Sequence, residues 1–244
     1  MTKNVKIIIE YDGTDFVGWQ RQPNGRSVQG EIEDALRQIF SEKINVVGSG
    51  RTDSGVHARG QAANFFIPSS ADVNDLLRSL NGLIFDDIVI HDVQVVEEKF
   101  SARYSAKERE YRYFITQMQT ALERRYCWHV GYQLDIAKMN DAASKLIGSH
   151  DFQTFCRAEA ATEHYLSSVF DARWDVESTG KLFFTIRANR FLHGMVRLIV
   201  GTLVDVGRGF TSVEEFEKIF HSHDVRNTGQ SAPAHGLFLE RVVY

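Results

Sequence analysis

The sequence holds few of the residues that mark secreted, membrane or linker-rich proteins. Two cysteines, Cys127 and Cys156, are too few for a disulfide framework and do not form a Cys-x-x-Cys pair. Three prolines leave no proline-rich linker, and no apolar run approaches the roughly 18 residues of a membrane-spanning helix. No signal peptide precedes the first strand pattern. These absences favour a cytoplasmic globular protein with reduced thiols.

A metal-binding cluster and an excess of positive charge are also missing. Nine histidines are scattered, and their one cluster, at residues 221–224, is typical of a solvated helix end. The formal net charge of −4 argues mildly against nucleic-acid binding, although phosphate contacts need only local lysine and arginine. Residues 101–125 and 187–208 are rich in arginine. They form either a basic face or ordinary solvated charge.

The hydrophobic pattern indicates two halves of similar organisation. Hydrophobic residues make up 43% of the 244 positions and charged residues 25%, which suits one large domain or two joined halves. Up to residue 96 the periodicity predicts strand, helix, strand, strand, helix, strand, the order of a ferredoxin-like unit. The second half repeats the order of strands and helices, but the two halves show no repeat in sequence. An α+β fold follows.

A glycine-rich stretch, residues 48–58, contains the strongest candidates for functional residues. An apolar run at residues 44–47 precedes it and another at residues 61–67 follows it, so the pattern predicts a tight loop between two strands. Three glycines let the backbone turn and let a ligand approach Asp53 and its neighbour Arg51. Asp-Ser-Gly is also ordinary turn chemistry. A phosphate-cradling loop fits badly, because no Gly-Lys-Ser/Thr follows.

The longer string from residue 50, Gly-Arg-Thr-Asp-Ser-Gly-Val-His-Ala, followed by Gly60 and Gln61, resembles the active-site motif of the tRNA pseudouridine synthase A family. The resemblance implies that Asp53 is the catalytic residue. Ser54 stands where alanine is commoner in the family. Arg51 would hold a phosphate or fill the gap that a flipped base leaves in the stem.

Two tyrosines on a predicted strand extend the resemblance. By alternation Arg109, Tyr111 and Tyr113 share one face of a strand, and tyrosines on such a face usually belong to the core. The Arg-x-Tyr-x-Tyr stretch is similar to a family segment whose tyrosine stacks on the target uracil. The resemblance assigns that role to Tyr111.

Arg197 lies in a nearly all-apolar stretch that predicts a helix over residues 191–206. Such a helix should be buried, and a buried arginine needs a partner. A structural salt bridge would satisfy it. Residues 191–203 are also similar to the family pattern Phe-Leu-x-x-x-Val-Arg-x-x-x-Gly-x-Leu, in which the arginine pairs with the catalytic aspartate. The resemblance therefore implies substrate-site roles for Arg197 and, through the motif at residues 232–239, for an apolar residue beside the base, Leu237.

The strand-end loop at residues 11–22 also matches a family motif. It is rich in aromatic and amide groups, which stack on bases or bond phosphates, unless the loop is packed by its own Phe16 and Trp19. The resemblance thus runs from Tyr11 to Leu239. It implies two ferredoxin-like halves, residues 1–104 with the aspartate loop and residues 105–244. They would share a mainly antiparallel sheet, with helices packed on one face and an active-site cleft on the other.

The resemblance implies an isomerase that acts on tRNA. Family members convert uridines at positions 38 to 40 of the anticodon arm to pseudouridine, so the expected partners are tRNA and a second copy of the chain, with no membrane. Because the reaction gains and loses no atoms, no cofactor and no metal is expected. Asp53 would attack the sugar or remove a sugar proton.

Three other functions are consistent with these motifs. They are a pseudouridine synthase for other RNA positions, a non-catalytic RNA-binding module, and a glycosidase that uses Asp12 and Asp53 as its carboxylate pair. A carboxylate among arginines argues against the binding module, because it repels phosphate.

Overall fold

The computed structural model describes residues 1–157, 162 and 164–244. Among these residues lie ten strands and five α-helices, which confirms the predicted α+β class. The chain divides into two compact units, Met1–Lys107 with Phe238–Tyr244, and Glu108–Leu237. In the described part of the chain, no helix combines the length and the hydropathy of a membrane span.

The elements follow one another in this order along the chain. The strands are β1 (Thr2–Tyr11), β2 (Val47–Gly48), β3 (His57–Pro68), β4 (Ile88–Val96), β5 (Glu108–Thr116), β6 (Trp128–His129), β7 (Gly148–Asp151), β8 (Leu166–Val176), β9 (Leu182–Ala188) and β10 (Leu237–Val243). The helices are α1 (Val28–Phe40), α2 (Val73–Leu83), α3 (Ile136–Ser144), α4 (Met195–Gly207) and α5 (Val213–Phe220).

The first unit has the strand order of a ferredoxin-like fold. β1 pairs antiparallel with β3 and with β4, and β2 pairs antiparallel with β3. Val5, Ile7 and Ile9 of β1 are fully buried, as their alternation predicts. Ser27 caps α1 by accepting the N–H of Gly30, because a hydroxyl satisfies one of the donors left free at a helix start.

β3 begins earlier than its local pattern predicts. The apolar run starts at Gln61, but the strand starts at His57. The reason is pairing with distant segments: Ala58 pairs with Tyr11 of β1, and His57 and Ala58 lie parallel to Phe238 and Leu239 of β10. The connection between β2 and β3 is therefore eight residues long, from Ser49 to Val56, and it contains Asp53.

The second unit is built on four antiparallel strands. β5 pairs with β9, β9 with β8 and β8 with β7, and β6 lies parallel to the end of β5. α4 is buried along most of its length. The expectation that this helix begins at residue 191 was wrong, because Gly194 adopts a left-handed backbone (φ 73°) and the helix starts at Met195.

Candidate active site

The Asp53 loop is held at both ends by hydrogen bonds. At its start the hydroxyl of Ser49 donates to Oε1 of Gln61 at 2.6 Å, and Nε2 of Gln61 donates to the carbonyl of Gly50 at 3.1 Å. At its end the N–H of Val56 donates to the carbonyl of Asp53 at 3.2 Å. The predicted turn is therefore present, and the half-buried Asp53 is its first residue. Arg51, two residues earlier, is exposed.

The strand-end loop at residues 11–22 packs directly on the Asp53 loop. The N–H of Trp19 donates to the carbonyl of Thr52 at 3.1 Å, and the hydroxyls of Tyr11 and Thr52 are 2.8 Å apart. The hydroxyl of Ser54 donates to the carbonyl of Phe16 at 3.1 Å. Two neighbours of Asp53 in the chain are thus fixed from outside their own loop.

Of the two alternatives for the aromatic residues of this strand-end loop, stacking on bases or internal packing, the structure supports internal packing for Phe16 and Trp19. These side chains are 2% and 3% exposed, so they belong to the core of the first unit. The guanidinium of Arg26 lies 4.5 Å from the Phe16 ring and bonds the carboxylate of Asp87. That hydrogen bond raises the pKa of Arg26. The loop supports Asp53 rather than presenting aromatic rings to RNA.

Asp12 and His57 stabilise the same strand-end loop. The carboxylate of Asp12 accepts hydrogen bonds from the backbone and hydroxyl of Thr14, at 3.0 and 2.6 Å, and its Oδ1 lies 3.1 Å from Nδ1 of His57. That ring nitrogen also accepts the N–H of Gly13 at 3.0 Å. A carboxylate used in this way to cap a turn is a poor second catalyst, so the geometry disfavours the glycosidase hypothesis.

Tyr111 and Tyr113 have different surroundings in the second unit. Tyr111 is 7% exposed and meets the ring of Phe191 edge-on, with centroids 5.0 Å apart. Tyr113 is fully buried, and its hydroxyl donates to the carbonyl of Pro233 at 2.8 Å. Burial raises the pKa of Tyr113 well above its usual value. Tyr113 is therefore a core residue, as is usual for a tyrosine on such a face.

Arg197 is tied to the segment that carries Leu237. Its Nε donates to the carbonyl of Ala232 at 2.7 Å, and the N–H of Ala232 donates to the carbonyl of Arg197 at 3.0 Å. Leu237 is 5% exposed and follows the short turn Ala234–Gly236. Burial lowers the pKa of His235 in that turn, and the charge of Arg197 lowers it further. A hydrogen bond with the backbone of Cys127 acts in the opposite direction.

Hydrogen bonds and ring contacts therefore connect the segments of Tyr111, Arg197 and Leu237 within the second unit. Asp53 and Arg51 lie in the first unit. Sequence reasoning missed Thr52, Tyr11 and His57 as supports of the aspartate loop. The string Tyr-Asp-Gly at the end of β1 was the available signal, since a polar turn directly after a buried strand needs partners for its backbone.

The carboxylate of Asp53, set on a hydrogen-bonded turn of an α+β scaffold, is a candidate catalytic group. Residues 7–105 and 142–244 match the family described as tRNA pseudouridine synthase. This chain belongs to that family.

Relatives of similar length match this sequence from end to end. A tRNA pseudouridine synthase A from Acetivibrio thermocellus is 42% identical over 245 residues, covering 99% of this chain and 100% of the relative. One from Halalkalibacterium halodurans is 44% identical, covering 98% and 92%. One from Geobacillus kaustophilus is 42% identical, covering 100% and 95%. A chain of a Cbf5–Nop10–Gar1 complex, at 10% identity and a TM-score of 0.35 over 82% of this chain and 54% of that one, is too slight a likeness to bear on function.

Proposed function

We propose that this chain isomerises uridine to pseudouridine in tRNA, at positions 38, 39 and 40 of the anticodon arm. The observation that carries the proposal is Asp53, held on a hydrogen-bonded turn within a sequence similar along its length to tRNA pseudouridine synthases. A side chain on a fixed turn suits catalysis, because its orientation is set before the substrate arrives.

The reaction needs one carboxylate and no net exchange of atoms. With the help of Asp53 the bond between N1 of uracil and C1′ of ribose breaks, the base turns, and C5 bonds to C1′. C5 then loses its proton and N1 gains one, so the product has the composition of the substrate. Asp53 acts either as a nucleophile at the sugar or as a base toward a sugar proton.

The family resemblance supports roles for four further residues. Tyr111 offers a flat face to the uracil, and Leu237 excludes water from the base. Arg197 provides positive charge that keeps the catalytic carboxylate ionised, because an opposite charge favours the charged form. Arg51 holds a phosphate or fills the stem gap. A base in the stem must leave its stack first, which costs a few kcal/mol that backbone contacts offset.

The first test replaces the carboxylate with its amide. We expect Asp53→Asn to fold and bind tRNA but to lose isomerisation by ~10³-fold or more, since an amide neither attacks nor accepts a proton. The assay is release of tritium from tRNA labelled at uracil C5. Asp75→Asn, an exposed aspartate on α2, is the matched control and should keep full activity.

Residual turnover within about tenfold of wild type would rule out Asp53 as the essential catalyst. Binding of tRNA by the wild-type protein without any tritium release would instead favour the RNA-binding module. Pseudouridine found only outside positions 38 to 40 would favour the synthase for other RNA positions.

The resemblance also supports a cytoplasmic homodimer. Sedimentation equilibrium at the concentration used in the assay measures the stoichiometry with and without tRNA. A monomer in both conditions would contradict this part of the proposal.

A further inference from the structure

The second unit contains a cavity of about 500 Å³ beside the last turn of α4. Its lining includes Trp128, Tyr132, Asp205, Arg208 and Gln230. None of these five residues belongs to the motifs that predicted the catalytic site, although Gly201, which also lines the cavity, lies in the motif of Arg197. The volume lies in the range of small-molecule pockets and is ample for one nucleobase with its sugar.

Asp205 is a carboxylate in a position that helix stability disfavours. It lies in the last turn of α4, where the helix dipole is negative and repels an anion. Its side chain is only 18% exposed, and burial raises the pKa of Asp205 while the charge of Arg208 opposes that rise. A carboxylate retained in such surroundings is a candidate for ligand binding.

The hydrogen-bonding capacity of Asp205 is only partly used. Oδ1 contacts a guanidinium nitrogen of Arg208 at 3.1 Å. That guanidinium is also 4.8 Å from the ring of Phe210 and 5.8 Å from the ring of Tyr132, so its charge is shared. Two carboxylate oxygens accept about four hydrogen bonds in all. Oδ2 lies beside Gly229, where an added β-carbon would be 2.5 Å away, and it receives no hydrogen bond from the described residues. The group therefore keeps acceptor capacity for a ligand with adjacent N–H donors.

The walls of the cavity offer flat surfaces. Trp128 is braced edge-on by Tyr113, with ring centroids 6.3 Å apart and planes at 89°. Tyr132 is 59% exposed, and its carbonyl accepts a hydrogen bond from Nε2 of Gln117 at 2.6 Å. Aromatic rings and arginine planes are the surfaces on which unpaired RNA bases stack.

The charge of Asp205 decides which part of RNA fits. A carboxylate repels phosphate, so the group beside it is a neutral base that donates hydrogen bonds. Guanine carries two adjacent donors, N1–H and N2–H, on its Watson–Crick edge, and they match the two oxygens of one carboxylate. Adenine presents only its amino group on that edge and uracil only N3–H.

We propose that this cavity binds an unpaired guanine of the tRNA substrate, separate from the target uridine, with Asp205 accepting from the guanine edge. The proposal rests on the proposed tRNA substrate. It adds a contact that raises affinity for tRNA without taking part in the isomerisation. Removing the contact should therefore change KM and leave kcat at saturating tRNA in place.

The kinetic test uses Asp205→Asn, whose amide places a donor against the guanine donors. We expect KM for tRNA to rise about tenfold, with kcat within twofold of wild type, in the tritium-release assay. Asp141→Asn, an exposed aspartate on α3, is the control and should leave both constants unchanged. Tyr132→Leu, which removes an exposed stacking surface without changing charge, should also raise KM.

The direct test uses guanosine alone, with binding followed by saturation-transfer NMR. Wild type and Asp53→Asn should both bind guanosine in preference to adenosine and uridine, and Asp205→Asn should not. Equal binding of the three nucleosides, or an unchanged KM in both Asp205→Asn and Tyr132→Leu, would overturn the proposal. If wild type shows no isomerisation but Asp205-dependent guanosine binding persists, the proposed reaction fails while the guanine site stands.

Discussion

At the scale of single residues, Gly13 determines how closely two loops approach. A β-carbon at Gly13 would lie 2.0 Å from the carbonyl oxygen of Val56, the last residue of the Asp53 loop. Gly13→Ala must therefore displace one backbone from the other. We expect kcat to fall at least ~10-fold, because a small shift of a catalytic group costs one to two orders of magnitude.

Gly82 provides the matched control for this prediction. It lies in α2, and a β-carbon added there would have no neighbouring heavy atom within 4 Å. Gly82→Ala should raise the free energy of unfolding by up to about 1 kcal/mol, because alanine is the better helix former. Urea denaturation and tritium release measure both variants. Equal behaviour of the two would mean that the strand-end loop does not position Asp53.

The Thr52 hydroxyl is a second residue-scale support. Thr52 is 6% exposed and its hydroxyl lies 2.8 Å from that of Tyr11. We expect Thr52→Val to lower kcat and to lower the free energy of unfolding by about 1–3 kcal/mol, because a buried hydroxyl loses its partner. Thr52→Ser keeps the hydroxyl and should restore most of kcat. A loss of stability with unchanged kcat would limit Thr52 to a role in folding.

At the scale of elements, α4 allows charge and hydrogen bonding to be separated. Arg197 donates from Nε to the carbonyl of Ala232, so Arg197→Lys keeps the charge and loses that donor, while Arg197→Met loses both. If the charge keeps the catalytic aspartate ionised, Arg197→Met raises the pKa of that aspartate. The acid limb of the pH–rate profile then moves to higher pH.

Arg197→Lys should leave the acid limb in place and lose mainly stability. The profile of kcat/KM between pH 4 and 8 gives the comparison, since it reports the ionisations of the free enzyme. A limb that stays at the same pH in Arg197→Met would show that the charge of Arg197 does not act on the catalytic group.

The elements also show what a local pattern can predict. Periodicity predicted the alternation of strands and helices in the first half and the apolar helix of Arg197, because the hydrophobic face of an element is set by residues close together in the chain. The starts of β3 and α4 were wrong for different reasons. β3 is extended by its pairing with Tyr11 of β1 and with residues some 180 positions away, and α4 is cut short by the backbone of Gly194.

The site was predictable to a similar extent. The strings around Asp53, Tyr111 and Arg197 are specific enough to name residues. The sequence could not decide between the two alternatives for Phe16 and Trp19. An aromatic residue in a loop gives the same sequence pattern whether it faces a base or a neighbouring loop. Contacts with distant residues bury them: the Trp19 ring lies against Gly48, and the backbones of Trp19 and Phe16 are bonded to residues 52 and 54, more than 30 positions away.

At the scale of the whole molecule, an acidic chain is proposed to bind a polyanion. With a net charge of −4, affinity must come from local arginines, so tRNA binding should still weaken steadily with salt. If Arg51 holds a phosphate, Arg51→Gln should reduce the slope of log affinity against log salt by about 1. If Arg51 fills the stem gap instead, the slope stays the same and kcat falls.

The last strand of the chain has a consequence for biosynthesis. Phe238–Tyr244 belongs to the first unit, although the second unit intervenes in the sequence. Phe238 pairs beside His57, Lys107 bonds the carbonyl of Val243, and Tyr244 bonds that of Ala102. A nascent chain therefore carries the Asp53 loop next to an unfilled strand position until residues 238–244 have been synthesised. Chains that end before residue 238 therefore lack this strand, and the first unit stays unfinished in them.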